Sequence, residues 1–162
     1  MVEFMTKLKR LSKLYKKFPE LAAIEAVNFT KERFVRKNWV DRSVEPWEPR
    51  KRTKNKKGNR GALMVRSGRL KRSIRKLKVS RNSVTIGTDV PYAESHNDGL
   101  EINKVVNIKR HSRKRKGRTS TVKSHSRKMN LKLPERRFMG ESALLLRRIE
   151  RLMEREMKNI LQ

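Results

Sequence analysis

Residues 63–99 read LMVRSGRLKRSIRKLKVSRNSVTIGTDVPYAESHNDG, and the fold turns on how this stretch divides. Leu63, Leu70, Ile74 and Leu77 fall at the spacing of a short helix, broken near Ser67-Gly68, a turn-forming pair. Ser73 and Ile74 close that turn and helix. Val79 to Ile86 alternates as a strand with Val84 and Ile86 on one face, and Asn82-Ser83 turns the chain just before it. Val84-Thr85-Ile86-Gly87 leads through Pro91-Tyr92-Ala93 to His96-Asn97-Asp98-Gly99, a tight connection to a second strand or loop. With helical patterns on both sides, this predicts an α+β fold. N-terminal helices and a C-terminal amphipathic helix pack on a small antiparallel sheet, which carries a long basic β-hairpin or loop arm.

On the N-terminal side, Phe4, Leu8, Leu11, Tyr15 and Phe18 recur at spacings of four, three, four and three, one face of a helix. Pro19 is expected to break it and to sit in the first turn of a second helix. That second helix carries Leu21, Ile24, Val27, Phe34 and Val35 and runs to about Trp39. Both read as core-packing helices with a solvated basic face. A basic face could also lie on a membrane or an acidic partner. Residues 41–50, DRSVEPWEPR, are extended, because Pro46 and Pro49 bracket Trp47. Trp47 either anchors this loop within the subunit or inserts into a neighbour. From Pro49 to Thr88 there is no acidic residue. Residues 50–61, centred on KRTKNKKGNR, read as a mobile basic loop of the kind that contacts polyanions.

On the C-terminal side, residues 104–128 hold 11 Lys+Arg and no Asp or Glu. They contain a near-repeat. Ile108-Lys109-Arg110-His111-Ser112-Arg113-Lys114 matches Val122-Lys123-Ser124-His125-Ser126-Arg127-Lys128 at five of seven positions. Two similar segments around a glycine-containing turn predict an antiparallel hairpin, with strands of about 10 residues reaching about 30 Å at ~3.3 Å per residue. A two-stranded ribbon has no core and orders against something else; a disordered basic loop is the alternative. His111 and His125 have only cations nearby, so no metal site is expected. Residues 131–140 form an extended segment with Pro134. From Glu141 to Gln162, Leu145, Ile149, Leu152, Met153, Met157 and Ile160 make one apolar stripe. Glu150, Glu154 and Glu156 interleave with Arg147, Arg151, Arg155 and Lys158 on the other face. This helix is expected on the sheet, beside the N-terminal helices.

The chain of 162 residues fits a single domain. Charged residues are 38%, against about 25% in an average soluble domain. Lys+Arg number 45 against 16 Asp+Glu, a formal net charge of +29. Such charge repels itself unless acidic partners or polyanions neutralise it. There is no cysteine, which excludes disulfides and thiolate metal sites. No apolar run approaches a membrane span, and no signal-peptide core is seen, so the chain is expected to act inside a cell and off the membrane. Asp89, Glu94, His96 and Asp98 cluster in sequence, but metal-assisted phosphodiester chemistry needs carboxylates held rigidly around a centre. These sit beside Gly99 in an expected turn, so no enzyme, metal or cofactor is assigned and His96 reads as a hydrogen-bonded structural residue. Aromatics are only 6% and are not interleaved with the basic runs, which argues against a stacking platform for single strands.

Taken in order, several short motifs resemble the phage virion morphogenesis, or tail-completion, family. They are Trp47, Leu63, Ser67-Gly68-Arg69-Leu70, Ser73-Ile74, Val84-Thr85-Ile86-Gly87, Pro91-Tyr92-Ala93, His96-Asn97-Asp98-Gly99 and Leu133-Pro134-Glu135-Arg136-Arg137-Phe138-Met139-Gly140. The resemblance runs from roughly Phe34 to the C-terminus. It implies a non-enzymatic structural protein of a tailed phage, assembled in the host bacterial cytoplasm. Such a protein stands in the neck or at the head-proximal end of the tail as a homo-oligomeric ring, with about six or twelve copies. Portal, adaptor and tail proteins are then its partners, with non-specific contact to packaged DNA. Subunit or partner contacts are assigned to Trp47, Arg69, Tyr92, His96, Arg137 and Phe138. Polyanion or acidic-partner contacts are assigned to Lys51, Arg52, Lys54, Lys56, Lys57, Arg110, Arg113, Lys114, Arg115, Lys116, Arg118, Lys123, Arg127 and Lys128. The other function class is a general nucleic-acid-binding protein, ribosome- or nucleoid-associated, which the charge supports equally.

Overall fold

One unbroken helix, α1 (Val2–Arg36), runs through Pro19, where the sequence leads one to expect two. A proline inside a helix removes one hydrogen bond and costs about 3 kcal/mol. Here Pro19 is buried, between the buried Leu14 and Ala23, and the helix continues through it. Arg81 lies 5.8 Å over the Tyr15 ring and Lys76 pairs with Glu20. Tertiary packing outweighs the local break. The computed structural model describes residues 2–50 and 61–162.

Lys37 ends α1 in the left-handed region, φ 58°, and its N–H donates to the Arg33 carbonyl at 2.7 Å. The chain then forms a short antiparallel pair, β1 (Asn38–Val40) with β2 (Val44–Pro46). Gly68, at φ 72°, precedes α2 (Arg69–Ser73). The helix is shorter than its leucine spacing implies, because Ile74 is extended and wholly buried. Leu77 therefore falls in β3 (Arg75–Val79), which turns at residues 80–83 into β4 (Val84–Gly87). The expected strand from Val79 is thus the second half of a hairpin. A five-residue helix, α3 (Ala93–Asn97), replaces the expected turn before Gly99. Four more strands follow: β5 (Leu100–Ile108), β6 (His111–Arg115), β7 (Arg118–Val122) and β8 (His125–Leu133). The chain closes with α4 (Ala143–Leu161).

The fold is α+β, and among the described residues the strands are antiparallel and divided into four two-stranded ladders rather than one sheet. The core is where the pieces meet. Phe34, Trp47, Leu70, Ile74, Val90, Ala93 and Phe138 form one buried cluster. Phe34 stacks edge-on to Trp47 with centroids 5.6 Å apart and lies 5.0 Å from Phe138. Trp39 and Phe29 make a second edge-on pair at 5.9 Å. Helix α4 runs back along α1 and finds its main contacts there rather than on a ladder. Arg148 holds the two helices together, donating to Glu32 at 2.8 Å and reaching Glu25 at 3.7 Å, with its guanidinium 5.3 Å from the Phe29 ring. The N-terminus of α4 is fixed by Ser142, whose Oγ accepts from Leu145 N at 3.2 Å and donates to the Val40 carbonyl at 2.7 Å. Asp41 accepts from Ala143 N at 2.6 Å. The stripe Phe4, Leu8 and Tyr15, expected in the core, is exposed, because α4 and the β3–β4 hairpin cover other sides of α1.

Candidate functional site

Strands β5 to β8 are one hairpin in a single register. Leu100 faces Leu133, Ile108 faces His125, His111 faces Val122 and Arg115 faces Arg118. The tip is a two-residue turn with Lys116 at φ 49° and Gly117 at φ 80°, the left-handed pair that suits twisted strands. The ladder is interrupted at 109–110 and 123–124, and both copies of the sequence repeat straddle that break. In each, a histidine bonds back to the carbonyl two residues earlier: His111 Nδ1 lies 3.0 Å from Lys109 O, and His125 Nδ1 lies 3.0 Å from Lys123 O. The repeat therefore encodes the same histidine-to-backbone contact at the break in each strand.

Facing residues share a side of a ladder. Leu100, Ile102, Val106 and Ile108 thus lie with Leu133, Leu131 and Met129 on one side of β5–β8, together with Lys104, Arg127 and His125, while Glu101, Asn103, Val105, Asn107, Lys132, Asn130, Lys128 and Ser126 lie on the other. These strands contact mainly each other. Arg110, Arg113, Lys114, Arg115, Lys116, Arg118, Lys123, Arg127 and Lys128 are all exposed along the hairpin. Lys51, Arg52, Lys54, Lys56 and Lys57 lie outside the described residues.

The root of the hairpin is tied to the core. Asn97 Oδ1 accepts from Phe138 N and Met139 N, each at 3.0 Å. Arg136 N donates to the His96 carbonyl at 2.9 Å, and Arg136 Nε donates to the Glu48 carbonyl at 3.0 Å. Gly99, at φ 77°, passes so close to the returning chain that a Cβ there would lie 3.1 Å from Glu135 N. Trp47 and Phe138, assigned as partner contacts, are enclosed within the subunit, and Trp47 Nε1 donates to the Arg137 carbonyl at 2.7 Å. Arg137 itself is exposed and pairs with Glu135 at 3.4 Å.

Arg69, Tyr92 and His96 do converge. They line a cavity of about 250 Å³ with Arg50, Arg66 and Arg136 around an apolar wall of Leu63, Met64 and Leu70. His96, expected to be hydrogen-bonded, has its Nδ1 buried without a hydrogen-bond partner among the described residues. Burial first, and the neighbouring Arg136 second, push the His96 pKa down, so the ring is held neutral. On the other side of α3, Asp89, Glu94 and Asp98 line a depression of about 520 Å³ floored by Val90, Phe138 and Met139. Among the described residues no three His, Asp or Glu are grouped to hold a metal ion, and no helix is long and apolar enough to cross a membrane.

The sequence did not single out Asn97 and Arg136 as functional, although both stand in quoted motifs. An Asn-Asp-Gly run announces only a turn. That its amide reaches across to residues 138 and 139 depends on the hairpin returning beside it. The sequence model of the phage virion morphogenesis family matches residues 8–158. No curated protein and no solved structure matches the chain. The match spans nearly all of the chain, which therefore belongs to the phage virion morphogenesis family.

Proposed function

We propose that this member of the phage virion morphogenesis family is a structural, non-enzymatic subunit of a neck or tail-completion ring, joining the tail to the portal or its adaptor. The observation that carries this reading is the hairpin of residues 100–133. It bears cations without a single acid from 104 to 128, has one mostly apolar side, and its strands contact mainly each other. A two-stranded ribbon of this kind is marginal in isolation. Its cations neutralise phosphates without reading bases, or clamp acidic faces of neighbouring rings. Ordering against an existing ring makes assembly sequential.

The test is a chain in which residues 104–128 are replaced by a short Gly-Ser turn. The shortened chain is expected to fold and to be missing from particles. Normal incorporation overturns the reading of the arm. Counting copies against the portal by quantitative mass spectrometry of purified particles tests the location. A small fixed ratio supports the neck or tail, while recovery on cellular RNA or DNA instead favours a nucleic-acid-binding protein.

A further inference from the structure

The cavity and the depression on the two sides of α3 carry opposite charge. Tyr92 and His96, four residues apart, face the cavity, whereas Glu94 and Asp98 fall about 200° further round and face the depression. Four arginines line the first with no carboxylate. Glu48 offsets part of the charge on Arg136, but residues 50–88, which build most of the wall, contain no acid at all. Three carboxylates line the second with no cation, and Asp89 reaches Arg75 only at 3.8 Å between two exposed groups. Arg66, Arg69, Glu94 and Asp98 are all exposed, so both charge sets are open to another molecule. The cavity volume suits one or two side chains rather than a duplex backbone, and its leucine and methionine wall suits the methylenes of a glutamate.

We propose that the acidic side of α3 in one copy, presenting Glu94 and Asp98, seats on the arginine cavity around Arg69 and Arg66 of the next copy. The contact uses different patches on its two members, so it is head-to-tail and closes into a ring when the rotation per copy divides the circle. This deepens the ring reading above and rests on it, naming the surface through which copies meet. Tyr92 and His96 line the same cavity, and the incoming carboxylate meets Arg66 and Arg69.

The experiment uses two double variants of the full chain, Arg66→Glu with Arg69→Glu, and Glu94→Arg with Asp98→Arg. Light scattering on a sizing column, over a range of concentrations at low ionic strength, gives the association of each. The wild-type chain is expected to self-associate, less as salt rises. Each variant alone is expected to associate about tenfold or more weakly. Mixing the two restores association, because the intact acidic patch of the first variant meets the intact cavity of the second. Restoration also reports that both fold. The first variant lowers the net positive charge, so bulk repulsion alone would strengthen its association, the opposite of the expected result. Variants that each associate like wild type, or a mixture that stays apart, overturn this interface while leaving the ring reading intact. A wild-type chain that stays monomeric yet is stabilised by inorganic phosphate gives the cavity to a free anion and overturns the copy-to-copy contact. A chain that is monomeric and also absent from particles overturns the ring reading itself.

Discussion

Asn97 is the residue on which the hairpin root depends, since its one side-chain oxygen serves two backbone N–H groups. Asn97→Ala leaves both donors without that acceptor and is expected to cost about 1–2 kcal/mol in urea unfolding, while Asn97→Asp, which keeps the acceptor, costs less. His96 beside it makes stability depend on pH. Its folded pKa is lowered, by burial and then by Arg136, so the unfolded chain takes up a proton near pH 6.5 while the folded chain resists it. Stability from this group is present above that pH and falls as the solution is acidified. His96→Gln is expected to flatten unfolding midpoints between about pH 7 and 5. At this scale the sequence was legible in part. Trp47 was readable as an anchor because prolines flank it. The convergence of four arginines from residues 50, 66, 69 and 136 was not, because nothing local ties residue 136 to residue 66.

Helix α1 shows how packing overrules a local signal, since a proline that ordinarily ends a helix is carried through by what surrounds it. The reverse holds for Leu77, whose helical spacing was outweighed by the turn at residues 80–83 that pairs β3 with β4. The hairpin arm and α4 were visible, the first from its repeat and the second from a stripe of Leu, Ile and Met sustained over the whole helix. The division into four ladders was not, because strand partners are chosen by long-range contacts. The α1–α4 pair gives an element-scale expectation. The hydrogen bond from Arg148, and then the charges of Arg148, Arg33 and Arg36, hold the Glu32 carboxyl below its ordinary range despite partial burial. That stabilisation is present above the unfolded carboxylate pKa and is lost as pH falls through the folded value. Arg148→Met is therefore expected to cost about 1 kcal/mol at neutral pH, with the gap from wild type closing below about pH 4 in parallel denaturant titrations.

Across the whole molecule a formal charge of +29 acts against compactness. Added sodium chloride, from about 50 to 500 mM, is expected to raise the thermal midpoint by screening this repulsion, and to do so less in the chain lacking residues 104–128, which removes 11 of the cations. The same charge has a protective side. A two-stranded ladder is nothing but edges, and β5 and β8 carry an apolar side as well, a template on which other strands add. Lysines and arginines along those edges keep free subunits from stacking arm upon arm while they wait in solution. The protection lasts only while the charges are bare. In the proposed function, phosphates or acidic neighbours quench them and the ribbon becomes adhesive. On that proposal the arm carries its own safety catch, released by contact with its destination rather than by a chemical signal.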